Sequence, residues 1–560
     1  MKDRSSPQNS ISFFNERSLS TGRSLLFLTI VAIALVAPFA NKAFHIDDPL
    51  FVWSAKHIQS HPADPYGFNI NWYSEKAAMW RVAKNPPLAS YYMALAAFFV
   101  GWTEKAIHIA FLIPVIAVFW GTYLFAKKFC SRPILATLFG LATPVFLVSS
   151  TTVMCDVMML AFWMWATVLW IRGIDKDEHP ALLLSTFLVA CSMLSKYYGM
   201  TLLVLLPVYA LSKKHKIGVW IIYMLIPICV FFLYQWKMRA LYGGKLMSDI
   251  FTYGAHVQGD INFGVIAKCL TGLAFTGGCL ATVFFYKPFL WSKKILIMEL
   301  IAFCAFVAGI SFLPAVGRLS LHSGGSIRWP QIFQMSLLAI AGINVLALTI
   351  GEFRRRKGDA VSLFLFCWCA ITFIFATFVN WSVNARSILP MAPAIGVLLA
   401  RRLDRLAPAR KSYSLYMPLV LAVALSLYIT FCDYRLANSA RSAANEAYVK
   451  YNSMSKYLLF QGHWGFQYYM ELKGGMPADI EMLQHIKHAI LIIPENNTNL
   501  FSLPQGLRGI KLGEIEYVMP IYIATMSKDR GAGFYADTWG PLPFSFGVVQ
   551  PETYDILYID

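Results

Sequence analysis

Two carboxylates stand side by side at Asp47 and Asp48, following the first apolar run and directly before Pro49. Further along, Lys84 and Asn85 precede Pro86-Pro87. Asp156 closes Thr152-Val-Met-Cys-Asp156, Lys196 and Tyr197 sit in Ser195-Lys-Tyr-Tyr-Gly199, and Arg386 sits in Asn384-Ala-Arg-Ser387. Carboxylates can take a proton from a hydroxyl, and Lys and Arg can hold an anionic group such as a phosphate. All of these residues adjoin long apolar runs. Ionisable groups near membrane depth are costly and mark functional sites by default.

Each residue also has a plainer reading. Asp48 followed by Pro49 is a standard helix start, with Asp at the N-cap and Pro at N1, which leaves Asp47 as the better base candidate. Lys196 can snorkel to headgroups, Arg386 can anchor at the interface, and Asp156 can cap the helix beginning there. Asn85-Pro-Pro can be a turn. The stretch His61–Trp72 is aromatic and polar, and its plain reading is a loop packed on the membrane surface. His45, His57 and His61 lie near Asp47, Asp48 and Asp64, so a divalent metal is conceivable, but none is expected. We find no phosphate-binding glycine loop of the nucleotide-binding types.

These residues must be positioned by elements that the composition identifies. Of 560 residues, 57% are hydrophobic and only 14% charged, with a mean hydropathy of +0.54. Soluble domains carry about 45–50% apolar and about 25% charged residues, so the excess apolar surface faces lipid. Disordered, collagenous and nucleic-acid-tail classes are excluded by the same figures. The net charge of +18 is explained by loops on the cytoplasmic side rather than by a nucleic-acid partner. The ten cysteines lie in or beside apolar stretches, so no disulfide framework is expected, and Cys367-x-Cys369 reads as packing.

Apolar runs lie at roughly 24–41, 105–126, 133–151, 155–172, 180–195, 199–212, 217–236, 264–286, 295–314, 330–350, 361–380, 387–402 and 415–432. The first, preceded by Lys2, Arg4, Arg17 and Arg23, reads as an uncleaved anchor with a cytoplasmic N-terminus. Basic clusters at 127–132, 213–216, 293–294, 354–357 and 401–411 alternate with the runs if each cluster is cytoplasmic. The fold class is therefore an α-helical polytopic membrane protein with about thirteen spans. The run 87–101 is short and is expected to dip in from the outer face; the alternative is that it crosses, placing Lys127-Lys128 outside. The first outer loop is 42–104, within a membrane part of 1–434. Region 435–560 changes composition: short apolar runs with Gly, Pro and Asn punctuation predict a small extracytoplasmic α/β domain. Its Asn496-Asn-Thr498 sequon is a common chance match.

Five segments in order then carry a resemblance: Phe44-His-Ile-Asp-Asp-Pro-Leu-Phe51, Asn85-Pro-Pro-Leu-Ala-Ser-Tyr91, Thr152–Asp156, Ser195–Gly199 and Arg386-Ser-Ile-Leu-Pro-Met-Ala-Pro393. Together they resemble the polytopic GT-C glycosyltransferases, in particular the protein mannosyltransferase and aminoarabinose-transferase-like group. The resemblance implies transfer of a sugar from a polyprenyl-phosphate donor to a glycan, lipid or protein acceptor outside the cytoplasm. It also implies the inner membrane of a bacterium and inversion at the anomeric carbon. It places the catalytic acidic residue on Asp47 and a second acidic position on Asp48, with Lys196 and Arg386 on the donor phosphate. Asp156, Tyr197, Trp72, Lys84 and Asn85 are expected to contact substrate. Relatives often carry an acidic residue then Lys where this chain has Lys84-Asn85. The main rival is a transporter or flippase of an anionic or lipid-linked substrate, which usually shows repeated halves; none is visible here. A different lipid-phosphate transferase and a non-catalytic assembly component are weaker alternatives.

Overall fold

The structure, a computed structural model, describes residues 20–560 apart from 73–74, 245–263, 324, 357, 407–412, 497, 505–506 and 508. Lys2, Arg4, Arg17, Lys357, Lys411 and Asn497 lie outside the described residues. The chain is a mostly helical multi-pass membrane protein. Each of the thirteen apolar runs holds a helix. Among the described residues, eight helices are long and apolar enough to cross a membrane. A ninth is counted if Pro133–Leu141 and Pro144–Ser150, bent by 73°, form one span. The break falls at Thr143, which is extended (ψ 154°) because the residue before a proline is pushed out of the helical region. The helix Leu88–Val100 has 13 residues. At about 1.5 Å per residue it measures about 20 Å, short of the roughly 30 Å hydrocarbon core.

The two ends of the helical bundle differ in charge. Asp156 opens the helix Cys155–Lys176 and Asp175 nearly closes it, so about 30 Å separates them. At the Asp175 end the basic clusters meet acidic partners. Lys128 pairs with Asp175, Lys214 with Asp177 (2.8 Å), Arg401 with Asp359 (2.7 Å), and Arg402 and Arg405 with Glu352. Arg132 stands 3.8 Å from Asp404 at this same end. The basic loops that the sequence places on one side are thus spatially together, opposite Asp156.

Two helix crossings hold the site end. Helix Cys155–Lys176 runs against His179–Ser195, which delivers Lys196 at its C-cap. Helix Ala392–Leu406, just after Arg386, crosses Pro133–Leu141 backbone to backbone. A Cβ at Gly396 would lie 2.3 Å from the Ala136 carbonyl oxygen, and one at Gly140 2.5 Å from that of Ala392. Small residues permit such approach where lipid supplies no hydrophobic drive between helices.

The compositional boundary at 434/435 falls inside one continuous helix, Tyr413–Tyr451, of 39 residues. The helix does not end there because Ala- and Ser-rich residues 437–447 continue it with good propensity after the apolar run stops. A five-stranded mixed sheet follows. Its central strand Ala489–Pro494 pairs in parallel with Tyr457–Phe460 and antiparallel with Glu552–Ile559, whose other neighbour is Gly509–Tyr517. Between those last two strands the chain returns to the bundle. There Ala385 N–H donates to the Phe534 carbonyl (2.9 Å) and Asp537 N–H to that of Val383 (2.8 Å).

Candidate functional site

Four charged side chains from four segments meet at the bundle end away from the basic loops. Arg386 Nη2 lies 3.1 Å from Asp47 Oδ2, and its Nη1 lies 3.9 Å from Asp156 Oδ2. Lys196 Nζ donates to Asp156 Oδ1 at 2.5 Å. Arg386 also donates to the Met154 sulfur. Asp156 is buried, whereas the Asp47 side chain keeps 32% of its exposure. Two cations therefore share one enclosed carboxylate, and Arg386 reaches from it to an accessible one.

The local chain geometry explains why Asp47 is free for this. It occupies the cap position of helix Asp48–Ser60, yet its side chain makes no capping bond. Asp48 does the backbone work instead: Oδ2 accepts from His45 N–H and Oδ1 from Val153 N–H, each at 2.9 Å. The helix start thus sits one residue earlier than the Asp48-cap, Pro49-N1 reading. Asp48 is fully enclosed and does not line the cavity described below. Burial pushes its carboxyl up to about 7, against the pull of the two N–H bonds and Lys42. Burial holds the neighbouring His45 ring down to about 4. Ile46 has φ +50°, a left-handed conformation that a β-branched residue seldom adopts. That strain turns the chain so that consecutive Asp47 and Asp48 point to different surroundings.

A cavity of about 470 Å³ opens beside this cluster. Asp47, Trp72, Lys84, Asn85, Lys196, Tyr197 and Arg386 all line it; Asp156, like Asp48, lies behind the wall. Trp72 is largely buried in a small apolar cluster with Tyr66, Ile70, Met79 and Val82, and its ring stacks 5.6 Å from that of His463. His57 and His61 are one helical turn apart and stack at 4.5 Å; His45 lies elsewhere, against Tyr535. Among the described residues, no three of His, Cys, Asp and Glu stand together as a metal-ligand set.

Sequence reasoning missed the wall supplied from beyond residue 451. His463, Trp464, Asn499, Tyr535, Thr538 and Trp539 line the same cavity. Trp464 has φ +62°, a second strained residue at the site. The next residue, Gly465, packs on the loop that carries Asp47: a Cβ there would lie 2.3 Å from the Phe44 carbonyl oxygen. The signal was present in Gly531–Pro541, where glycines alternate with Phe, Tyr and Trp, a pattern of tight turns presenting aromatic rings.

Residues 84–236 match the family model described as dolichyl-phosphate-mannose-protein mannosyltransferase. No curated protein matches the chain. Similar solved structures include ArnT from Cupriavidus metallidurans bound to undecaprenyl phosphate. Its identity is 13% and its TM-score 0.43, over 85% of this chain and 94% of that one. Another is the Archaeoglobus fulgidus oligosaccharyltransferase in the apo form, at 13% identity and TM-score 0.47, over 83% of this chain and 65% of that one. The matched stretch contains Lys84, Asn85, Asp156, Lys196 and Tyr197, with Asp47 before it and Arg386 after it. Over residues 84–236 the chain matches the dolichyl-phosphate-mannose-protein mannosyltransferase family, as its motifs led us to expect.

Proposed function

We propose that the protein is a GT-C type membrane glycosyltransferase that moves a sugar from a polyprenyl-phosphate carrier to an acceptor hydroxyl. The site would lie at the membrane face opposite the basic loops, which the positive-inside rule puts outside the cytoplasm. One observation supports this above the rest: Arg386, on the wall of the cavity with Asp47 and Lys196, connects Asp47 to the Asp156 carboxylate enclosed behind it.

In this reading the acceptor oxygen attacks the anomeric carbon from the face opposite the phosphate. The new C–O bond forms as the bond to the phosphate oxygen breaks, with inversion. Asp47 accepts the acceptor's proton, and the bond electrons leave with the lipid phosphate. Lys196 and Arg386 stabilise that phosphate by charge-assisted hydrogen bonds in a site partly shielded from water. Asp156 holds the two cations at fixed separation, and Asp48 holds the loop that aims Asp47; neither touches substrate. Tyr197, Lys84, Asn85 and Trp72 border the substrate.

The test is transfer from a radiolabelled polyprenyl-phosphate sugar in membranes from cells making the wild type or Asp47→Asn. Loss of label transfer with donor binding retained is the expected result. Normal transfer by the variant would remove Asp47 from the reaction.

A further inference from the structure

Behind the cavity lies an ion pair with no place in the mechanism above. Lys42 Nζ stands 2.5 Å from Asp433 Oδ2, and both side chains have 0% exposure. Lys42 also donates to Thr151 Oγ1 at 3.3 Å. Asp433 accepts from Thr525 Oγ1 at 2.8 Å and from the Tyr535 hydroxyl at 2.7 Å. Burying two charges costs more than their attraction returns unless further bonds satisfy them, and such pairs are retained where they fix one geometry. Here the bonds tie together four segments: the chain after the first span, the 149–153 turn, the long helix and the 525–535 return.

Tyr535 connects this pair to the site. Its ring lies 5.8 Å from the Arg386 guanidinium carbon and meets the His45 ring edge-on at 5.5 Å. The neighbouring backbone is locked, since Phe534 and Asp537 bond to Ala385 and Val383, the segment leading into Arg386. An aromatic face attracts a guanidinium and is compatible with its remaining hydrogen bonds. We propose that Tyr535 is a positioning residue: held by its hydroxyl on the buried Lys42–Asp433 pair, it fixes Arg386 for binding a phosphate. This rests on the reading of Arg386 given above. It makes the C-terminal return part of the phosphate-binding half of the site rather than a separate appendage.

The experiment is a double-mutant cycle on the full chain in lipid nanodiscs, titrated with a polyprenyl monophosphate. Its corners are the wild type, Tyr535→Leu, Arg386→Lys and the double variant. Arg386→Lys keeps a positive charge, and so measurable binding, but loses the planar face over the ring. Tyr535→Leu should weaken binding about three- to tenfold beside Arg386 and less than twofold beside Lys at that position. Tyr535→Phe, which keeps ring and packing but removes one hydrogen bond from the buried Asp433 carboxylate, should lose about threefold in binding and melt at a lower temperature than the wild type. If Tyr535→Leu costs the same factor in both backgrounds while the wild type binds, the positioning role is wrong and the proposed function stands. If the wild type does not bind polyprenyl monophosphate at all, both fall.

Discussion

The Arg386 guanidinium and the Asp47 carboxylate, 339 residues apart in sequence, meet at 3.1 Å at the edge of a cavity. Their contact is directional as well as electrostatic. A planar guanidinium that spans Asp47 and Asp156 holds the first carboxylate in a defined orientation toward the cavity. A lysine ammonium at this position would lack the fork.

Asp47→Asn should lower transfer by about 10²–10⁴-fold, the span for a positioned base, while donor binding stays within a few fold. Arg386→Lys should affect both quantities, because it loosens Asp47 and weakens the phosphate contact. Steady-state transfer and direct lipid binding separate the two. Equal losses in both for Asp47→Asn would argue that its carboxylate serves folding.

Lys196→Met leaves Asp156, which is 1% exposed, beside Arg386 alone. Breaking an enclosed pair costs about 3–5 kcal/mol, largely through the charge left behind. The variant's thermal unfolding midpoint in detergent should therefore fall. Adding Asp156→Asn should recover part of that loss without recovering transfer. A double variant melting lower than the single one would show that Asp156 is not burdened by the missing lysine.

Asp48 carries a pH signature. Burial raises its carboxyl from 3.8 to about 7, so the folded state favours the neutral acid. A raised acid stabilises the fold fully below about pH 4, and that contribution is lost as pH rises toward 7. At about 1.4 kcal/mol per unit the change is roughly 4 kcal/mol. Asp48→Asn should melt lower throughout, because its amide turns an NH2 group toward a backbone N–H. The gap from wild type should narrow from pH 4 to 7; a gap independent of pH would refute the assignment.

Gly465→Ala places a methyl group 2.3 Å from the Phe44 carbonyl oxygen, closer than any real contact. The helix Trp464–Leu472 or the 44–47 loop must move. Because Asp47 rides on that loop, transfer should drop at least tenfold, since small misplacements of reacting groups are expensive. Limited proteolysis should show faster cleavage after residue 451. Full activity in Gly465→Ala would mean that the helix Trp464–Leu472 yields without displacing the 44–47 loop.

Much of the bundle was legible in the chain. The apolar runs each hold a helix because runs of this length must satisfy their backbone internally in lipid. The charged residues worth testing were legible too, since an ionisable group beside an apolar run needs a partner. Where each carboxylate points was not. Asp47 and Asp48 are adjacent and chemically identical, and the fold around them sends one to the cavity and the other to two amides.

By itself, then, the sequence determined a membrane-spanning helical chain with its basic loops gathered by rule on one side, and a short roster of charges elsewhere. Hydrophobic periodicity and charge placement are local properties, and they survive without knowledge of the fold. Only the tertiary structure decided that Tyr535, His463, Trp464 and Trp539 wall the same cavity as Asp47, and that Lys42 is buried against Asp433. The cavity wall depends on how the chain after Tyr451 folds back on the bundle, and the ion pair on how the chain after the first span meets the long helix. The many weak contacts and few backbone bonds that set its path leave no period in the linear sequence.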